Sequence, residues 1–415
     1  MSGAEKRRPV LLVLASTYPR WQGDPEPGFV HELSKRLTDR FHVIVLGPHA
    51  PGAKVRENMD GVEVVRYRYA PERWETLVND GGIVTNLKLH RWKLLLVPGF
   101  VLTQAWWAWR LCRRERVDVV HAHWLVPQGL IAAWLGRPFL VTSHGADLYA
   151  LRSGPLQALK RFVLHKAQAA TVVSSAMRDA VAALGADIAK VSVVPMGVDM
   201  AGRFVPDGAV QRSRSELLFV GRLVEKKGLR HLLEALPAVL RERPDVTLTI
   251  AGFGPEEERL KAQVRELGLQ DAVRFLGAVA QRDLPGLYRR AALFVAPFVR
   301  AESGDQEGLG LVLVEALGCG CPVLAGDVPA VGDVIAEHWR IDVRDVRAFS
   351  ARILQMLDNA TASGDQVQAA REVLVNRLGW GHVASRYAGL LYGAASGLRP
   401  EAGADTLDKQ GQEGQ

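Results

Sequence analysis

Short, continuously apolar runs alternate with longer segments of mixed polarity along most of this chain. Residues 10–15, VLLVLA, are apolar at every position, which is typical of a parallel strand covered on both faces. A Pro- and Gly-rich loop follows at residues 16–28, then a predicted helix at 29–40 and a strand at 41–46. This order is a βαβ unit, and the same alternation restarts at residue 216. The pattern predicts an α/β fold with two doubly wound, Rossmann-like domains.

The alternation also predicts where the domains begin and end. Residues 200–214 are polar and contain Gly202, Pro206 and Gly208, as expected of a linker. We therefore predict a first domain at 1–203, a second at 204–376, a C-terminal helix at 377–397 and a disordered tail at 398–415. The remaining predicted strands are 62–68, 117–121, 139–142, 169–173, 191–194, 216–220, 246–251, 273–276, 293–296 and 322–325.

Charge is unevenly distributed over the 415 residues. Residues 1–203 hold 27 Lys and Arg against 17 Asp and Glu, whereas residues 204–415 hold 25 against 28. A basic first half favours an anionic partner, such as phospholipid, a lipid-linked diphosphate or nucleic acid, or it simply solubilises the surface. Nucleic acid is not the partner we expect, because no strand carries interleaved aromatic and basic residues.

One segment in the first half combines apolar length with basic flanks. Residues 94–109 contain no charge, and Arg91, Lys93, Arg110 and Arg113 lie on either side. The run is only 16 residues long and includes a proline and a glycine, so a membrane-spanning helix is not expected. Two interpretations stay open: a plain core helix, or a helix whose basic, Trp-rich rim lies on a membrane surface.

The three cysteines, Cys112, Cys319 and Cys321, are too few for a disulfide framework and favour a reducing compartment. No secretory signal peptide is predicted, since the first apolar run is short and lacks a cleavage pattern. No metal-ligand cluster is visible in the sequence.

A basic loop bracketed by glycines follows the strand at 216–220. It contains Gly221, Arg222, Lys227 and Gly228, and a helix at 229–242 comes next. A strand, a short basic loop and a helix N-terminus together suit a diphosphate, since Arg222 can contact two oxygens and Lys227 adds a mobile charge. The alternative is a solvated basic loop.

The segment at 300–329 has the order loop, helix, turn and strand. Glycines surround Glu307 in the loop, and Glu315 lies eight residues further on in the helix that begins near Gly310. Carboxylates accept hydrogen bonds from the hydroxyls of sugars and ribose. Alternatively, both are ordinary surface charges.

Two further segments bear on ligands. His144 follows the strand at 139–142 and precedes a glycine, which suits either a structural loop histidine or one that faces a crevice. Gly252-Phe253-Gly254 begins like a dinucleotide fingerprint, but Glu257 occupies the position of the third glycine and the first turn is acidic. No nicotinamide or other cofactor is predicted.

Residues 307–323 form the pattern E-G-L-G-L-x-x-x-E-A-x-x-x-G-x-P-V, which resembles the signature of glycosyltransferase family 4, retaining enzymes of the GT-B fold. Residues 221–228 resemble that family's donor-diphosphate loop, G-R-x-x-x-x-K-G, and residues 144–147 resemble its His-Gly-x-Asp segment. Gly23 resembles the family's first glycine-bearing loop, and Gly277 a turn near the nucleobase. The resemblance extends from the first strand to the last helix.

The resemblance implies that a sugar is transferred from a nucleotide sugar with retention of anomeric configuration. Arg222 and Lys227 would bind the diphosphate, aided by the backbone of Gly308, Leu309 and Gly310. Glu307 would hold donor-sugar hydroxyls and Glu315 the ribose. His144 would approach from the first domain on closure of the cleft, and the last helix would return to that domain. The resemblance also implies that no metal is required.

The acceptor implied by the basic first domain is a glycan or a lipid-linked precursor of a cell-surface glycan. With such an acceptor, we expect the protein to be cytoplasmic and to lie peripherally on the inner face of the membrane. Residues 303–306 depart from the commoner family pattern, because the polar stretch before Glu307 is longer than the usual Pro-Ser pair. Two alternatives stay open: a nucleotide-sugar epimerase or hydrolase of the same fold, and a non-catalytic protein that binds a membrane surface.

Overall fold

The computed structural model describes residues 7–24, 28–78, 82–149, 153–359 and 364–397. The chain divides into two compact units. The first contains the described residues up to Pro195 and those from Ala384 onward, and the second is Met196–Val383. The sequence placed the linker at 200–214 and the returning helix at 377–397, while the tail expected at 398–415 lies outside the described residues.

The first unit is built on an eight-stranded sheet with the order β3-β4-β2-β1-β5-β6-β7-β8. All neighbours are parallel except β3 and β4, which form an antiparallel hairpin. Its central strands are buried along their whole length, as their apolar runs predict. The strands are β1 Val10–Leu14, β2 His42–Pro48, β3 Arg56–Met59, β4 Val62–Tyr67, β5 Val119–His123, β6 Phe139–Ser143, β7 Ala169–Val172 and β8 Val191–Val193.

Helices cover this sheet and connect its strands. They are α1 Phe29–Arg36, α2 Gly82–Leu89, α3 Leu96–Arg114, α4 Leu130–Trp134, α5 Ala146–Tyr149, α6 Gly154–Lys166 and α7 Ser175–Ala183.

Two local predictions in this unit need correction. The helix predicted to reach residue 40 ends at Arg36, because Thr38 and Asp39 are poor helix formers and the Thr38 hydroxyl donates to the Lys35 carbonyl at 2.7 Å. The strand predicted at 62–68 is β4, and it forms a hairpin with β3, a strand that the sequence pattern did not predict. The turn of this hairpin is Asp60-Gly61, both at positive φ, a sequence that favours two-residue hairpins.

The second unit has a six-stranded, fully parallel sheet with the order β11-β10-β9-β12-β13-β14. Helices α8 and α12 pack on it through a continuous apolar core that includes Phe219, Leu236 and Phe349. The strands are β9 Glu216–Val220, β10 Thr247–Ala251, β11 Val273–Gly277, β12 Leu293–Ala296, β13 Val323–Gly326 and β14 Arg340–Ile341. The helices are α8 Leu229–Glu242, α9 Glu257–Glu266, α10 Leu284–Arg290, α11 Leu311–Gly318, α12 Val346–Asp358 and α13 Gly364–Leu378.

A last helix, α14, runs over Trp380–Ser396. It begins in the second unit, and its residues from Ala384 belong to the first. There Tyr387 donates a hydrogen bond to the Val194 carbonyl at 2.9 Å and is completely buried. The predicted fold class, two parallel-sheet α/β domains, is confirmed.

Candidate functional site

The site in the second unit lies where the strand order of its sheet reverses direction. Strand β9 begins the sheet in sequence, β10 and β11 lie on one side, and β12 to β14 lie on the other. Ligands of open parallel sheets bind beyond the carboxyl ends of the strands at such a reversal. A ligand is therefore expected at the loops that follow β9 and β12. We call residues 221–228 the β9 loop and residues 297–310 the β12 loop.

A glycine allows the two loops to pass close to one another. Gly228 ends the β9 loop and caps helix α8 with φ of 66°, in the left-handed region. A Cβ atom at this position would lie 1.8 Å from the Pro297 carbonyl oxygen, so no larger residue fits without movement of the backbone. The sequence signal for a helix start at Gly228 thus coincides with the point where the loops cross.

Hydrogen bonds and an ion pair connect the loops further along. The backbone N–H of Val299 donates to the Lys226 carbonyl at 3.0 Å, and that of Glu302 donates to Glu225 Oε1 at 2.9 Å. Lys226 Nζ lies 3.2 Å from Asp305 Oδ2. The polar residues at 303–306 therefore help to attach the β12 loop to the basic β9 loop.

Lys227 and Glu307 face each other across this junction. Lys227 Nζ donates to Glu307 Oε2 at 2.7 Å, with the two side chains only 14% and 15% exposed. The ammonium also lies 4.6 Å from the centroid of the Phe298 ring. Burial opposes ionisation of Glu307, but the charges of Lys227 and Lys226 and hydrogen bonds from Lys227 and Gly308 lower its pKa to about 2. Glu307 is thus a carboxylate at neutral pH, and its alternative as a solvated loop charge is wrong.

Helix α11 begins immediately after this pair. Gly310 precedes its first residue with φ of 86°, and Gly308 and Leu309, both buried, lie between it and Glu307. The first backbone N–H groups of a helix lack partners within the helix and carry partial positive charge. The Glu307 carboxylate, the Lys227 ammonium and the start of α11 therefore belong to one site.

Glu315 lies in the middle of α11 and is buried, so its alternative as a surface helix residue is wrong. The Tyr288 hydroxyl donates to Glu315 Oε2 at 3.0 Å. Burial raises the pKa of Glu315 to about 7, although hydrogen bonds from Tyr288 and Gln281 lower it in part. This carboxyl changes its protonation near neutral pH, in contrast to Glu307.

Three other predicted residues occupy the same edge of the sheet. Gly221 and the half-buried Arg222 follow β9 directly, in the loop that carries Lys227. Gly277 is the last residue of β11, and its carbonyl accepts from the N–H of Gly252 at 2.8 Å. The second unit thus collects every predicted donor residue from 221 onward at the carboxyl end of its strands.

His144 belongs to the first unit, where it follows β6. Its Nε2 lies 2.9 Å from His123 Nδ1, and the two rings stack at 5.2 Å between centroids. Asp147 accepts from the N–H of His144 at 3.2 Å and from the Ser143 hydroxyl at 2.9 Å. Burial lowers the pKa of His144 to about 3, so the imidazole is neutral at physiological pH.

Gly23, the remaining predicted residue, belongs to the first unit. It lies in an exposed turn with φ of 83°, and a Cβ atom there would meet nothing within 4 Å. The neighbouring Arg20 and Asp24 form an ion pair at 2.7 Å.

Sequence reasoning did not identify several residues of these two clusters. Tyr288 lies in α10 and Phe298 follows β12, and neither belongs to a motif quoted from the sequence. Only the fold brings them to Glu315 and Lys227. His123 shares a hydrogen bond with His144. Its position at the end of β5, the strand beside β1 and β6, was the available signal.

The arrangement in the second unit is suited to a diphosphate attached to polyhydroxylated groups. Cationic side chains and helix N–H groups suit the phosphates, and two carboxyls of different pKa can accept hydroxyl hydrogens. Within the described ranges, no three His, Cys, Asp or Glu side chains cluster so as to hold a metal ion.

Comparison with known proteins agrees with this geometry. Residues 206–373 match the family model "Glycosyl transferases group 1", and residues 29–201 match the model "Glycosyltransferase Family 4". The glycogen synthase of Mycobacterium tuberculosis is 28% identical over 394 residues, which cover 89% of this chain and 91% of the relative.

A second relative from the same organism is named GDP-mannose-dependent alpha-(1-6)-phosphatidylinositol monomannoside mannosyltransferase. It is 30% identical over 270 residues, 61% of this chain and 69% of the relative. Among solved structures, the sucrose-phosphate synthase of Thermosynechococcus elongatus superposes with a TM-score of 0.74 at 20% identity, covering 94% of this chain and 100% of that one.

Proposed function

Because the chain belongs to glycosyltransferase family 4 and is a glycosyltransferase that acts on nucleotide sugars, we propose that it is a retaining hexosyltransferase. In the proposed reaction the bond between the anomeric carbon and the β-phosphate oxygen breaks, and a bond to an acceptor hydroxyl oxygen forms. The acceptor proton leaves to the departing nucleoside diphosphate. Retention follows if the acceptor attacks from the face of the leaving group.

The observation that carries this proposal is the junction of Lys227 and Glu307 at the start of α11. We assign Arg222 and Lys227 to the donor diphosphate, where they stabilise charge on the leaving group. Glu307, a carboxylate at neutral pH, is assigned to hydroxyls of the donor sugar, and Glu315 to the ribose. The proposed site requires no metal ion, since two cations and the N–H groups near Gly310 meet the diphosphate.

Lys227 already has a partner in Glu307, and this bears on how the donor binds. A diphosphate that binds the Lys227 ammonium weakens the ion pair with Glu307. The Glu307 carboxylate is then available to accept hydrogen bonds from sugar hydroxyls. The two side chains are then used by adjacent parts of one ligand. His144, in the first unit, is proposed to contact the donor sugar as a neutral imidazole.

The proposed acceptor is a lipid-linked or cell-surface glycan precursor, and the proposed location is the cytoplasmic face of a membrane. The support is the basic first half of the chain, with 27 Lys and Arg against 17 Asp and Glu up to residue 203, together with the lipid acceptor in the name of the mannosyltransferase relative. A bilayer with anionic lipids attracts such a surface.

Thermal unfolding with a panel of nucleoside diphosphates and nucleotide sugars, in the presence of chelator, tests the donor site. We expect one base to raise the melting temperature, and Arg222→Ala or Glu315→Ala to remove most of the shift. Arg241→Ala is the control, because Arg241 is exposed in the last turn of α8. A flat response of folded protein to every nucleotide would reject the proposed function.

The anomeric configuration of the product, read by NMR, tests retention separately. Net inversion would contradict the proposed mechanism while leaving the glycosyltransferase activity intact. Release of free sugar, or interconversion of nucleotide sugars, without transfer to any acceptor would favour the hydrolase or epimerase alternative.

A further inference from the structure

Helix α3 is apolar on two opposite sides. One side packs into the first unit through Leu96, Phe100 and Ala108, all buried. The opposite side exposes Leu102 at 68%, Trp106 at 50% and Trp109 at 39%. The spacing of these three exposed residues, four and then three positions, places them on one stripe of a helix. A surface helix normally presents polar residues on that side.

The exposed apolar stripe continues into the turn that precedes the helix. Leu95, immediately before α3, is 82% exposed, and large apolar side chains remain exposed back to the end of α2. Single exposed apolar residues are common, but a continuous series of them marks an interaction surface. We call this series the Trp–Leu surface: Leu89, Trp92, Leu94, Leu95, Leu102, Trp106 and Trp109.

The charged residues within the segment 81–114, which carries the Trp–Leu surface, are all basic. The Arg110 guanidinium lies 5.5 Å from the Trp106 ring centroid, and that of Arg113 lies 4.6 Å from Trp109. The sequence contains no Asp or Glu between Asp80 and Glu115. Exposed Trp and Leu with Arg at their edge, and no carboxylate, are the composition of helices that lie at the headgroup level of anionic membranes.

Insertion across the bilayer is not how this surface would be used. No helix among the described residues has the length and apolarity that crossing a membrane requires. The side of α3 that carries Phe100 is committed to the interior of the unit. Self-association through the same surface would bring two arginine edges together with no carboxylate to pair them.

We propose that the Trp–Leu surface docks on an anionic phospholipid bilayer, with Trp106 and Trp109 at the headgroup level and Arg110 and Arg113 on lipid phosphates. This inference deepens the membrane location proposed above and depends on it for the nature of the acceptor. The docking itself requires no catalytic activity.

Co-sedimentation of the full chain with vesicles of phosphatidylcholine, with and without phosphatidylglycerol, tests the inference. We expect binding to the mixed vesicles at low salt and much less to phosphatidylcholine alone. Replacing Leu102, Trp106 and Trp109 together by Ala should lower the partition coefficient more than about tenfold. Arg110→Gln and Arg113→Gln should each lower it about fivefold.

Phe162→Ala is the matched control. Phe162 is an exposed aromatic on α6 of the same unit, with the Lys166 ammonium 5.9 Å from its ring centroid. This variant should bind vesicles as the unsubstituted protein does. Unchanged binding in the triple variant, equal loss in the control, or equal binding to neutral vesicles would overturn the proposal. The proposal would also be overturned if the protein bound no vesicles and instead formed a dimer that the triple substitution dissociates.

Nucleotide binding by the same variants separates this proposal from the proposed function. The triple variant should retain its thermal response to the donor nucleotide, which also shows that it is folded. Vesicle binding without any nucleotide response would reject the donor site and leave the lipid surface standing. A nucleotide response without vesicle binding would do the reverse.

Discussion

At the scale of single residues, Glu307 and Glu315 show how one loop and the helix that follows it can hold two carboxyls with very different pKa values. Lys227 contacts Glu307 at 2.7 Å, whereas the partner of Glu315 is the neutral hydroxyl of Tyr288. Desolvation disfavours the charged form of both, and the ammonium that contacts Glu307 reverses that effect there, whereas the charges of Arg203 and Lys227 offset it only in part at Glu315. The pKa values of about 2 and about 7 follow from this difference.

The pKa of Glu315 predicts a pH dependence of nucleotide binding. If Glu315 binds the ribose as proposed, its ionised form would accept two hydroxyl hydrogens, so affinity should increase as the pH rises through about 7. Tyr288→Phe removes a hydrogen bond that lowers this pKa, and it should therefore move the increase to higher pH. Isothermal titration calorimetry with the preferred nucleoside diphosphate, over about two pH units around neutrality, measures both effects.

Glu315→Gln is the control for this pH profile, because the phosphates of the nucleotide titrate in the same range. The part of the increase that disappears in the Gln variant belongs to Glu315. A profile identical in Gln and unsubstituted protein would contradict the assignment. In the free protein the sign is opposite: the folded pKa exceeds the unfolded value of 4.5, so stability should decrease as the pH rises from 4.5 through about 7.

At the scale of elements, the site depends on where the β9 loop turns into helix α8. Gly228 adopts a left-handed conformation and lies against the Pro297 carbonyl, so the turn fixes the β12 loop as well. Lys227, the residue before it, is thereby held within reach of Glu307. The glycine at the end of the family motif is explained by this close approach in addition to its φ angle.

Substitution of two glycines should separate these effects. Gly228→Ala and Gly268→Ala both place a side chain at φ close to 66°, but only at Gly228 would the Cβ atom meet backbone. We expect Gly268→Ala to cost about 1 kcal/mol of unfolding free energy and Gly228→Ala at least about 1 kcal/mol more. Urea unfolding gives the two values, and equal losses would show that the β12 loop adapts freely.

The element that the sequence described least well is α3. Its uncharged run and basic flanks left a core helix and a membrane-surface helix as alternatives. The structure shows one buried side and one exposed apolar side, so α3 packs in the core and also presents an apolar surface. A linear pattern cannot make this distinction, because a helix that is apolar all round carries no period that identifies its solvent side.

At the scale of the whole molecule, the chain contains two sheets, each with its own buried strands and helices. Every donor residue predicted from residue 221 onward belongs to the second unit, whereas His144 and Gly23 belong to the first. Ligand binding and unfolding can therefore be measured separately for each unit.

Scanning calorimetry should show this division. With the nucleoside diphosphate at about 100 times its dissociation constant, the unfolding transition of the second unit should be stabilised by about 2.7 kcal/mol. The transition of the first unit should change less. Tyr387→Phe, which removes the hydrogen bond to the Val194 carbonyl, identifies the first unit's transition by lowering it. If the nucleotide shifted only the transition of the first unit, the assignment of the donor site to the second unit would be wrong.

The apolar and mixed segments along the chain were sufficient to predict the fold class, because fully buried parallel strands must be apolar throughout and their helices must follow in order. Local patterns at 221–228 and 307–315, each following the carboxyl end of a strand, also predicted the donor residues of the second unit, and their role in binding a donor stays a prediction. Which of these side chains contact each other became evident from the folded chain. The Lys227–Glu307 pair, Tyr288 on Glu315 and His123 on His144 are contacts between residues distant in sequence. Such contacts depend on sheet order and loop crossing, which no local periodicity encodes.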